Sequence, residues 1–549
     1  MTTQTSAQEK TRPCRPRSMT LVHLSQGDFE TAETSSFQPS DFRDGPLAAV
    51  AGGSRPATAE LISAPVKASF PFDRLLAGAS AVLGPEDRLE LAAQVKGSGD
   101  WSPWFDFGSF TPAGGSASVK GQSHACGRMD TDVLSLAQKA SYFRYRVTVR
   151  AAAGSKAFLR LVAVTVTDSS APYRENCAAA APSSARPLRL TVPAISQMAQ
   201  QVEYSRDICS PSSVAMILNY FGRKAKVLDT AAGVYDSGEN IYGNWTFNTM
   251  YAASRGLYAW PARLNSLEEA RGYLEAGLPV AASLTFGPGE LKGSPIKKTK
   301  GHLVVLKGFD AKGRVLVNDP AAAEERTVER AYDRVEFARA WLRNKFGTAY
   351  IIAPLERLPL TAKAPLAELF SKPMDFAKDD REKHIESQIL PLESVTCADA
   401  EGGWLKVSAD EQPHKDASGG KTFKPYQGWM EARLAAFRHP VAAGAVIKNK
   451  TAAIKDGPLA ELSIGARVRV LAKEGGMTRI MLPGGDSALI AAKDLNSLPV
   501  PGKKEELRPR ILAAARQFLG DRYYWGGRSG YGIDCSGLVN ISYRAWGLD

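Results

Sequence analysis

His302-Leu-Val-Val-Leu-Lys-Gly-Phe309, Asp310-Ala-Lys-Gly313 and Arg314-Val-Leu-Val-Asn-Asp319 follow one another without interruption and decide how the middle of the chain is read. Two apolar runs of strand length flank a turn signal that ends in glycine, which is the pattern of a β-hairpin. With Ala311 and Lys312 at the tip, or with all of 310–313 looped out, residue 304 faces residue 319 across the ladder. Side chains alternate along a strand, so 302, 304 and 319 share one face and Asp319 falls diagonal to His302, within reach of an imidazole nitrogen. A three-residue loop would carry Asp319 to the other face. His302 is the only histidine in residues 188–356, and Asp319 precedes Pro320, which favours extended backbone there.

A thiol that could use such a pair lies upstream. Cys209-Ser-Pro-Ser-Ser213 opens a helical pattern in which Val214, Ile217, Leu218 and Phe221 fall on one face and Gly222 ends the run. Free N–H groups and the dipole at a helix start favour thiolate, and Pro211 is tolerated in the first turn because its missing N–H had no partner to lose. Cys209, His302 and Asp319 then supply a nucleophile, a base and an orienting carboxylate, the elements of a Cys-His-Asp triad. Ser266 and Glu269 stand at capping-box spacing for a second helix, and 279–286 reads as a strand.

The chain around this core has 549 residues, 44% hydrophobic and 23% charged, so it divides into about three to five domains of ordinary globular composition. Lys and Arg number 69 against 57 Asp and Glu, a net charge of +12 spread along the chain. That balance fits contact with an anionic polymer such as a cell wall and gives no pointer to nucleic acid. No apolar run reaches 18 residues, so no membrane-spanning helix is expected, and the N-terminal residues lack the apolar stretch of a signal peptide. The six cysteines form no CxxC pair, which argues against a zinc site and a disulfide scaffold; no metal or organic cofactor is expected.

The composition divides the chain as follows. Residues 1–60, rich in Ser, Thr, Pro, Gly and Ala, read as a disordered leader, and the alternating runs of 61–170 as a β-sandwich. Residues 185–356 hold the mixed α+β core with the triad. Short strands return in 360–440 and 441–502, as two small β-barrels. Residues 505–549 open with an amphipathic helix and carry Asp534-Cys-Ser-Gly537, a second cysteine at a helix start.

Residues 188–353 resemble the papain-like cysteine peptidases of the bacteriocin-leader (double-glycine) group, cysteine-peptidase family thirty-nine. The resemblance rests on Val192-Pro-Ala-Ile-Ser-Gln197, Cys209-Ser-Pro-Ser-Ser213, Gly301-His-Leu-Val-Val305 and Val317-Asn-Asp-Pro320. It implies a nucleophile at Cys209, a base at His302, an orienting acid at Asp319 and an oxyanion-hole glutamine at Gln197, with Gln200 and Gln201 as alternatives. Cys-Ser-Pro stands where many members have Cys-Gly-Pro. Gly243-Asn-Trp-Thr-Phe-Asn248, Tyr251-Ala-Ala-Ser-Arg-Gly256 and, in the sandwich, Gly99-Asp-Trp-Ser-Pro-Trp-Phe105, Val119-Lys-Gly-Gln122 and Asp130-Thr-Asp132 resemble a secreted, multidomain branch of the same group.

Tyr523-Tyr-Trp-Gly-Gly527 and Asp534-Cys-Ser-Gly537 resemble the NlpC-type cell-wall peptidases, and the two barrels resemble bacterial SH3-like domains. This second resemblance implies a nucleophile at Cys535 and substrate contacts at Tyr426, Glu393, Tyr523, Asp534 and Ser536. The family's histidine lies well downstream of its cysteine, and the 14 residues after Cys535 contain none, so 505–549 reads as a truncated domain, poorly packed or leaning on the second barrel through 511–519.

The expected fold is therefore multidomain α+β: an N-terminal β-sandwich, a papain-like α+β peptidase core, two SH3-like β-barrels and a partial papain-like C-terminal segment. The expected function is a bacterial thiol hydrolase acting on a peptide or a peptidoglycan stem peptide, outside the cytoplasm or in the cell envelope, with the barrels as candidate wall binders. Two other readings stay open. One is a non-catalytic cell-wall-binding protein. The other is a fragment of a γ-D-glutamyl–diamino-acid endopeptidase whose activity resides in a complete C-terminal domain.

Overall fold

The computed structural model describes residues 16–50, 55–180, 186–415, 422–500 and 504–548. Twelve antiparallel strands between Ser18 and Thr167 form the N-terminal unit. Its frame is β1 (Ser18–His23), β2 (Val66–Val82), β3 (Val133–Ala151) and β4 (Lys156–Thr167). The long β2 pairs with β3 through its first part and with β4 through its last, so one strand serves both halves of the unit and one apolar interior fills the space between them. The expected disordered leader over 1–60 is corrected here. Of the described part, β1 pairs with β4, Leu47–Val50 pairs with β4, and Ala57–Ile62 pairs with β3. They bury residues such as Met19, Leu21, Ala59 and Leu61, in strands too short to stand out against the Ser/Pro-rich composition around them.

The central unit contains α1 (Cys209–Tyr220), α2 (Trp245–Ser254), β5 (Tyr258–Arg263), α3 (Leu267–Glu275), β6 (Val280–Phe286), β7 (Thr299–Phe309), β8 (Val315–Asn318), β9 (Glu329–Tyr332) and β10 (Thr348–Ala353). The strands form an antiparallel sheet in the order β5-β10-β6-β7-β8-β9. Ser210 through Leu218 of α1 are all buried, and α1 packs on β7, which places a helix start beside the strand that carries His302.

The N-terminal and central units share a tight seam. Ser80 of β2 exchanges hydrogen bonds with the backbone of Ala259 in β5, at 2.6 and 2.8 Å, and Thr246 of α2 donates to the Ala77 carbonyl. Gly78 is required at the crossing, since a Cβ there would lie 2.3 Å from the Pro261 ring.

The β7–β8 hairpin differs from the expected one in two places that cancel. Its loop has three residues, 311–313: Asp310 N–H donates to the Arg314 carbonyl, and Gly313 takes the left-handed conformation at φ 76° that such loops need. Phe309 therefore faces Val315, which would put Asp319 on the wrong face. A bulge at Lys307 restores the parity, so that Leu306 faces Val317 and Val305 faces Asn318. Residue 304 then faces 319, as the sequence reading required.

The bulge is held from outside the hairpin. The short strand Leu188–Arg189 pairs with Phe309 and Gly308, Leu190 N–H donates to the Lys307 carbonyl, and Lys307 Nζ reaches Glu329 Oε2 at 2.6 Å.

Two seven-stranded antiparallel sheets follow, over Leu360–Phe437 and Ala445–Ser497. The C-terminal segment holds α4 (Lys504–Arg516) and α5 (Cys535–Arg544). It is better packed than the sequence implied. Ala514, Phe518, Ile533 and Ile541 join the interior of the second small sheet, and Gln517 bonds the backbone of Lys448 and Lys450, as a helix leaning on that sheet should. The segment also docks on the first small sheet: Tyr524 Oη donates to Glu368, and Arg528 N–H to Gln388. Val539, by contrast, is exposed. Among the described residues, no helix is long and apolar enough to cross a membrane.

Gly308 tests the hairpin. A Cβ at 308 would lie 2.1 Å from the Leu188 carbonyl oxygen, so Gly308→Val must displace either the 188–189 strand or the bulge. We expect a loss of about 1–3 kcal/mol, read as a lower denaturant midpoint of the central unit. An unchanged midpoint would mean that the 188–189 strand does not hold the bulge.

Candidate active site

His302 ends up buried, with its Nε2 2.7 Å from Asp319 Oδ1. That bond leaves Nδ1 as the ring nitrogen open to Cys209, which stands close enough for thiol and imidazole to shift each other's titration. Asp319 is itself fully enclosed. Its second oxygen accepts from Tyr332 Oη at 2.7 Å, and Oδ1 also accepts from the Ala321 N–H at 3.1 Å. Neutral donors on both oxygens keep the carboxylate ionised where an unpaired one would take up a proton.

The three titrations interlock. Burial acts to raise the Cys209 thiol, but the hydrogen bond to His302, the imidazole charge and the Leu303 N–H outweigh it and hold the thiol below its ordinary value. Burial also acts to lower His302, yet the charge and hydrogen bond of Asp319, joined by the Cys209 thiol, carry it well upward. For Asp319, burial is overcome by His302 and then by Tyr332, and the net direction is down. Opposite shifts on sulfur and imidazole favour a thiolate–imidazolium pair at neutral pH.

Neighbouring residues fix the pieces. Ser210, in the Cys-Ser-Pro variant, is buried and its hydroxyl lies 2.7 Å from Tyr350 Oη of β10, so the serine that replaces the more common glycine ties the start of α1 to the sheet. Asn318 donates to the carbonyls of Val192 and Pro193, and the Pro320 carbonyl accepts from Gln197 N–H at 2.9 Å. Gln197 is thus brought to the same corner. Its Nε2 donates to the Ser205 carbonyl at 2.8 Å, just before α1, and its buried Oε1 has no partner among the described residues. Gln200 donates to the Ser196 carbonyl, and Gln201 occupies a left-handed turn position.

Cys209 opens into a cleft of about 1190 Å³. Tyr204, Tyr242 and Trp245 line it from the central unit, and Arg74 and Asp130–Val133 line it from the N-terminal unit. The sequence reading missed this second wall, and it missed Tyr332. The motif Asp130-Thr-Asp132 was visible but carried no role. Here Asp132 accepts a hydrogen bond from the Trp245 N–H and so caps α2 from the neighbouring unit.

The second cysteine is in a different setting. Cys535 is exposed at the start of α5. Asp534 caps that helix by accepting from the Gly537 N–H at 2.7 Å and from the Ser536 hydroxyl at 2.8 Å. Tyr523 Oη lies 4.0 Å from the Cys535 sulfur, and among the described residues no histidine is hydrogen-bonded to it. Tyr426 donates to Glu386 Oε2, and its ring lies tilted against that of His414, 4.8 Å between centres.

Glu393 is not a substrate-facing residue in this structure, which corrects that expectation. It is 1% exposed and pairs with Arg528 at 2.7 Å and Arg544 at 3.3 Å, both also buried. Two guanidiniums from the C-terminal segment enter the first small sheet's side and need a carboxylate there, so Glu393 works as an internal lock. Of the other cysteines, Cys397 is buried and Cys177 is disulfide-bonded.

Residues 189–349 match the family model described as "Peptidase_C39 like family", and residues 44–169 match that of the "Peptidase C39 N-terminal domain". The chain therefore carries a C39-like peptidase domain preceded by the domain that accompanies it. It is also similar to γ-D-glutamyl-L-lysine dipeptidyl-peptidase of Bacillus cereus, 27% identical over 180 residues, which make up 30% of this chain and 51% of the relative. The protein of the same name from Bacillus subtilis is 30% identical over 169 residues, 30% of this chain and 54% of the relative. The chain spans about half the length of these curated relatives. Among solved structures, an NlpC/P60 family protein from Bacillus cereus aligns at 22% identity with a TM-score of 0.29, over 34% of this chain and 72% of that one.

The coupled shifts predict a reactivity profile. Because the Cys209 thiol is held low, alkylation by iodoacetamide should stay fast as pH falls well below the ordinary thiol range, and drop only when the thiolate finally takes a proton. Removing the imidazole in His302→Ala leaves burial as the main influence, so the alkylation midpoint should move up by about one pH unit or more. Mass spectrometry of the Cys209 peptide across pH reads this directly, and identical profiles for the two proteins would contradict the coupling.

Proposed function

We propose that the C39-like domain is a working cysteine peptidase that hydrolyses peptide bonds, with a peptidoglycan stem peptide as the favoured substrate class. The observation that carries this is the buried His302–Asp319 hydrogen bond beside Cys209, which stands at a helix start and lines an open cleft. The names of the two similar peptidases support the stem-peptide class, and so does the basic balance of the chain.

Each residue has one task in the proposed cycle. The Cys209 thiolate attacks the carbonyl carbon, and the electrons of the C=O move to oxygen. The Cys209 N–H, free in the first turn of α1, and the Gln197 amide stabilise that oxyanion. Imidazolium then gives its proton from Nδ1 to the leaving amine as the C–N bond breaks, leaving an acyl-enzyme. Neutral His302 next takes a proton from water, the hydroxide attacks the thioester, and the thiolate is released. Throughout, Asp319 holds Nε2–H, which fixes the ring's tautomer and balances its charge when it is protonated.

The two small sheets are proposed as SH3-like units that hold the enzyme to the wall. An envelope or extracellular location is in keeping with the disulfide at Cys177, since such bonds persist in oxidising compartments. Turnover is proposed for Cys209; among the described residues Cys535 has the Tyr523 hydroxyl as its hydrogen-bond partner.

Five variants of the full chain test the assignment on purified stem peptides. Cys209→Ala and His302→Ala should each lower kcat/KM by about a thousandfold or more while the fold is kept. Asp319→Asn should keep part of the activity, because an amide can still hold the ring, whereas Asp319→Leu should lose much more. Cys535→Ser should hydrolyse at the parent rate. Full activity in Cys209→Ala, or its loss in Cys535→Ser, would move the chemistry to the other cysteine.

A further inference from the structure

The cleft that begins at Cys209 ends against cations that lack counter-ions. Arg263 of β5 is 4% exposed; its guanidinium donates to Thr167 Oγ1 at 2.9 Å and Thr348 Oγ1 at 3.3 Å and lies over the Phe346 ring, 5.3 Å from its centre. Arg74, at the crossing of the two units, donates to Ser135 Oγ at 2.6 Å, and its buried Nε has no partner among the described residues. Lys345 lies over the Trp245 ring, 5.4 Å from its centre. Among the described residues none of the three makes an ion pair. Burying a guanidinium without an anion is costly, and placing a second one beside it costs more. Burial, then the charge of Arg74, lowers the pKa of Arg263 to about 10.

The nearby carboxylates are occupied elsewhere. Asp73 accepts from the backbone N–H and the hydroxyl of Ser169. Asp132 accepts from the Trp245 N–H, and burial pushes it up to about 7, so close to neutral pH it carries only part of a charge. Asp130 pairs with Arg128 at 3.0 Å. The cleft lining as a whole holds five cations (Arg74, Arg206, Arg263, Lys300, Lys345) against three carboxylates (Asp130, Asp132, Asp207).

The sheet register gives the distance from the thiol's side of the cleft. Arg263 pairs with Thr348, Ser283 pairs with Leu303, and the β6–β10 register, with Ala282 opposite Ala349, continues to place Ser283 opposite Thr348. Arg263, Thr348, Ser283 and Leu303 thus form one row across four strands. Three steps of about 4.8 Å put Arg263 about 14 Å from Leu303, the neighbour of His302. An extended peptide covers that span in about four residues. Midway along the row, Ser283 Oγ is buried, lines the cleft and has no partner among the described residues.

We propose that Arg263 and Arg74, with Lys345, form a carboxylate-binding subsite: an acidic group of the substrate, about four residues from the scissile bond, is held between the two units, with Ser283 donating to the chain on the way. This rests on the peptidase reading and adds the class of substrate, a peptide that carries a free carboxylate at that spacing. It also gives the N-terminal unit a part in substrate selection, since Arg74 comes from that unit.

The test uses the pentapeptide L-Ala-γ-D-Glu-L-Lys-D-Ala-D-Ala, whose terminal carboxylate lies four residues beyond its first peptide bond, and the same peptide with its carboxyl groups amidated. Calorimetric binding to full-length Cys209→Ala needs no turnover. The acid peptide should bind at least about tenfold more tightly than the amide, and the gap should shrink to about twofold in Cys209→Ala/Arg74→Gln. Arg74 is only half-buried, so this variant should fold; Arg263→Gln is a second arm wherever its circular dichroism matches the parent. Equal binding of the two peptides, or no binding of either, overturns the subsite. The unmodified enzyme then separates the two ideas: hydrolysis without acid preference removes the subsite and leaves the peptidase, while acid preference in binding with no hydrolysis removes the peptidase and leaves the subsite.

Discussion

The bond between His302 Nε2 and Asp319 Oδ1, 2.7 Å long and sealed from water, is the constraint on which the central unit depends. A carboxylate with no exposure is stable there only while His302, Tyr332 and the Ala321 N–H all donate to it. Those donors come from β7, β9 and the loop after β8, so three segments are held in register by one acidic group. The residues on either side of Asp319 extend the effect. Asn318 holds the Val192–Pro193 backbone and Pro320 holds Gln197, so three consecutive residues place His302, the proposed base, and the segment of the proposed oxyanion donor. Alternation along the backbone lets neighbouring side chains serve opposite faces of the sheet without competing.

The same geometry explains why the N-terminal unit cannot be a detachable appendage. Its Asp132 caps α2, its Ser80 bonds Ala259 in both directions, and its Arg74 and Asp130–Val133 form a wall of the cleft. The cap satisfies a helix N–H that would otherwise face the cleft unpaired. The family models match the two units as separate domains, but the interface joins them into one site. Further along the chain, Glu393 does comparable work by holding Arg528 and Arg544, so the C-terminal segment is locked on by charge as well as by apolar packing.

How much of this was legible in the sequence depended on the range of the interaction. The helix from Cys209, the apolar strands around His302 and the glycine turn at 313 are local patterns, and they appear where they were read. The pairing of 302 with 319 was also reached, but by a route that the structure does not follow. The loop has three residues, the length that by itself would carry Asp319 to the other face, and the bulge at Lys307 compensates. No local pattern announces that bulge, because it is imposed by the Leu188 strand more than a hundred residues upstream. Tyr332 and Arg74 were missed for the same reason, since each acquires its role only when a distant strand is laid beside it. The leader was misread because composition outweighed short alternation, and Glu393 because a surface role was carried over from a resemblance without knowledge of the two arginines that bury it.

The two cysteines separate the local part of a thiol site from the part that folding adds. Cys209 and Cys535 both begin helices, both precede serine, and both gain whatever a helix start offers a thiolate. At Cys535 the sulfur is exposed, and its hydrogen-bond partner among the described residues is a tyrosine hydroxyl at 4.0 Å. A phenol is a far weaker base than imidazole at neutral pH, and an exposed thiolate draws most of its stabilisation from water. At Cys209 the helix start is enclosed, so burial would suppress the thiolate were it not for an imidazole that is itself held by a buried carboxylate. Enclosure strengthens each of those interactions, and it also makes them indispensable, because a buried charge with a missing partner has no solvent to fall back on. A cysteine at a helix start is thus a beginning common to the central unit and the C-terminal segment, and the difference between them is made by strands 90 to 110 residues away from Cys209 that bring His302 and Asp319 to its side.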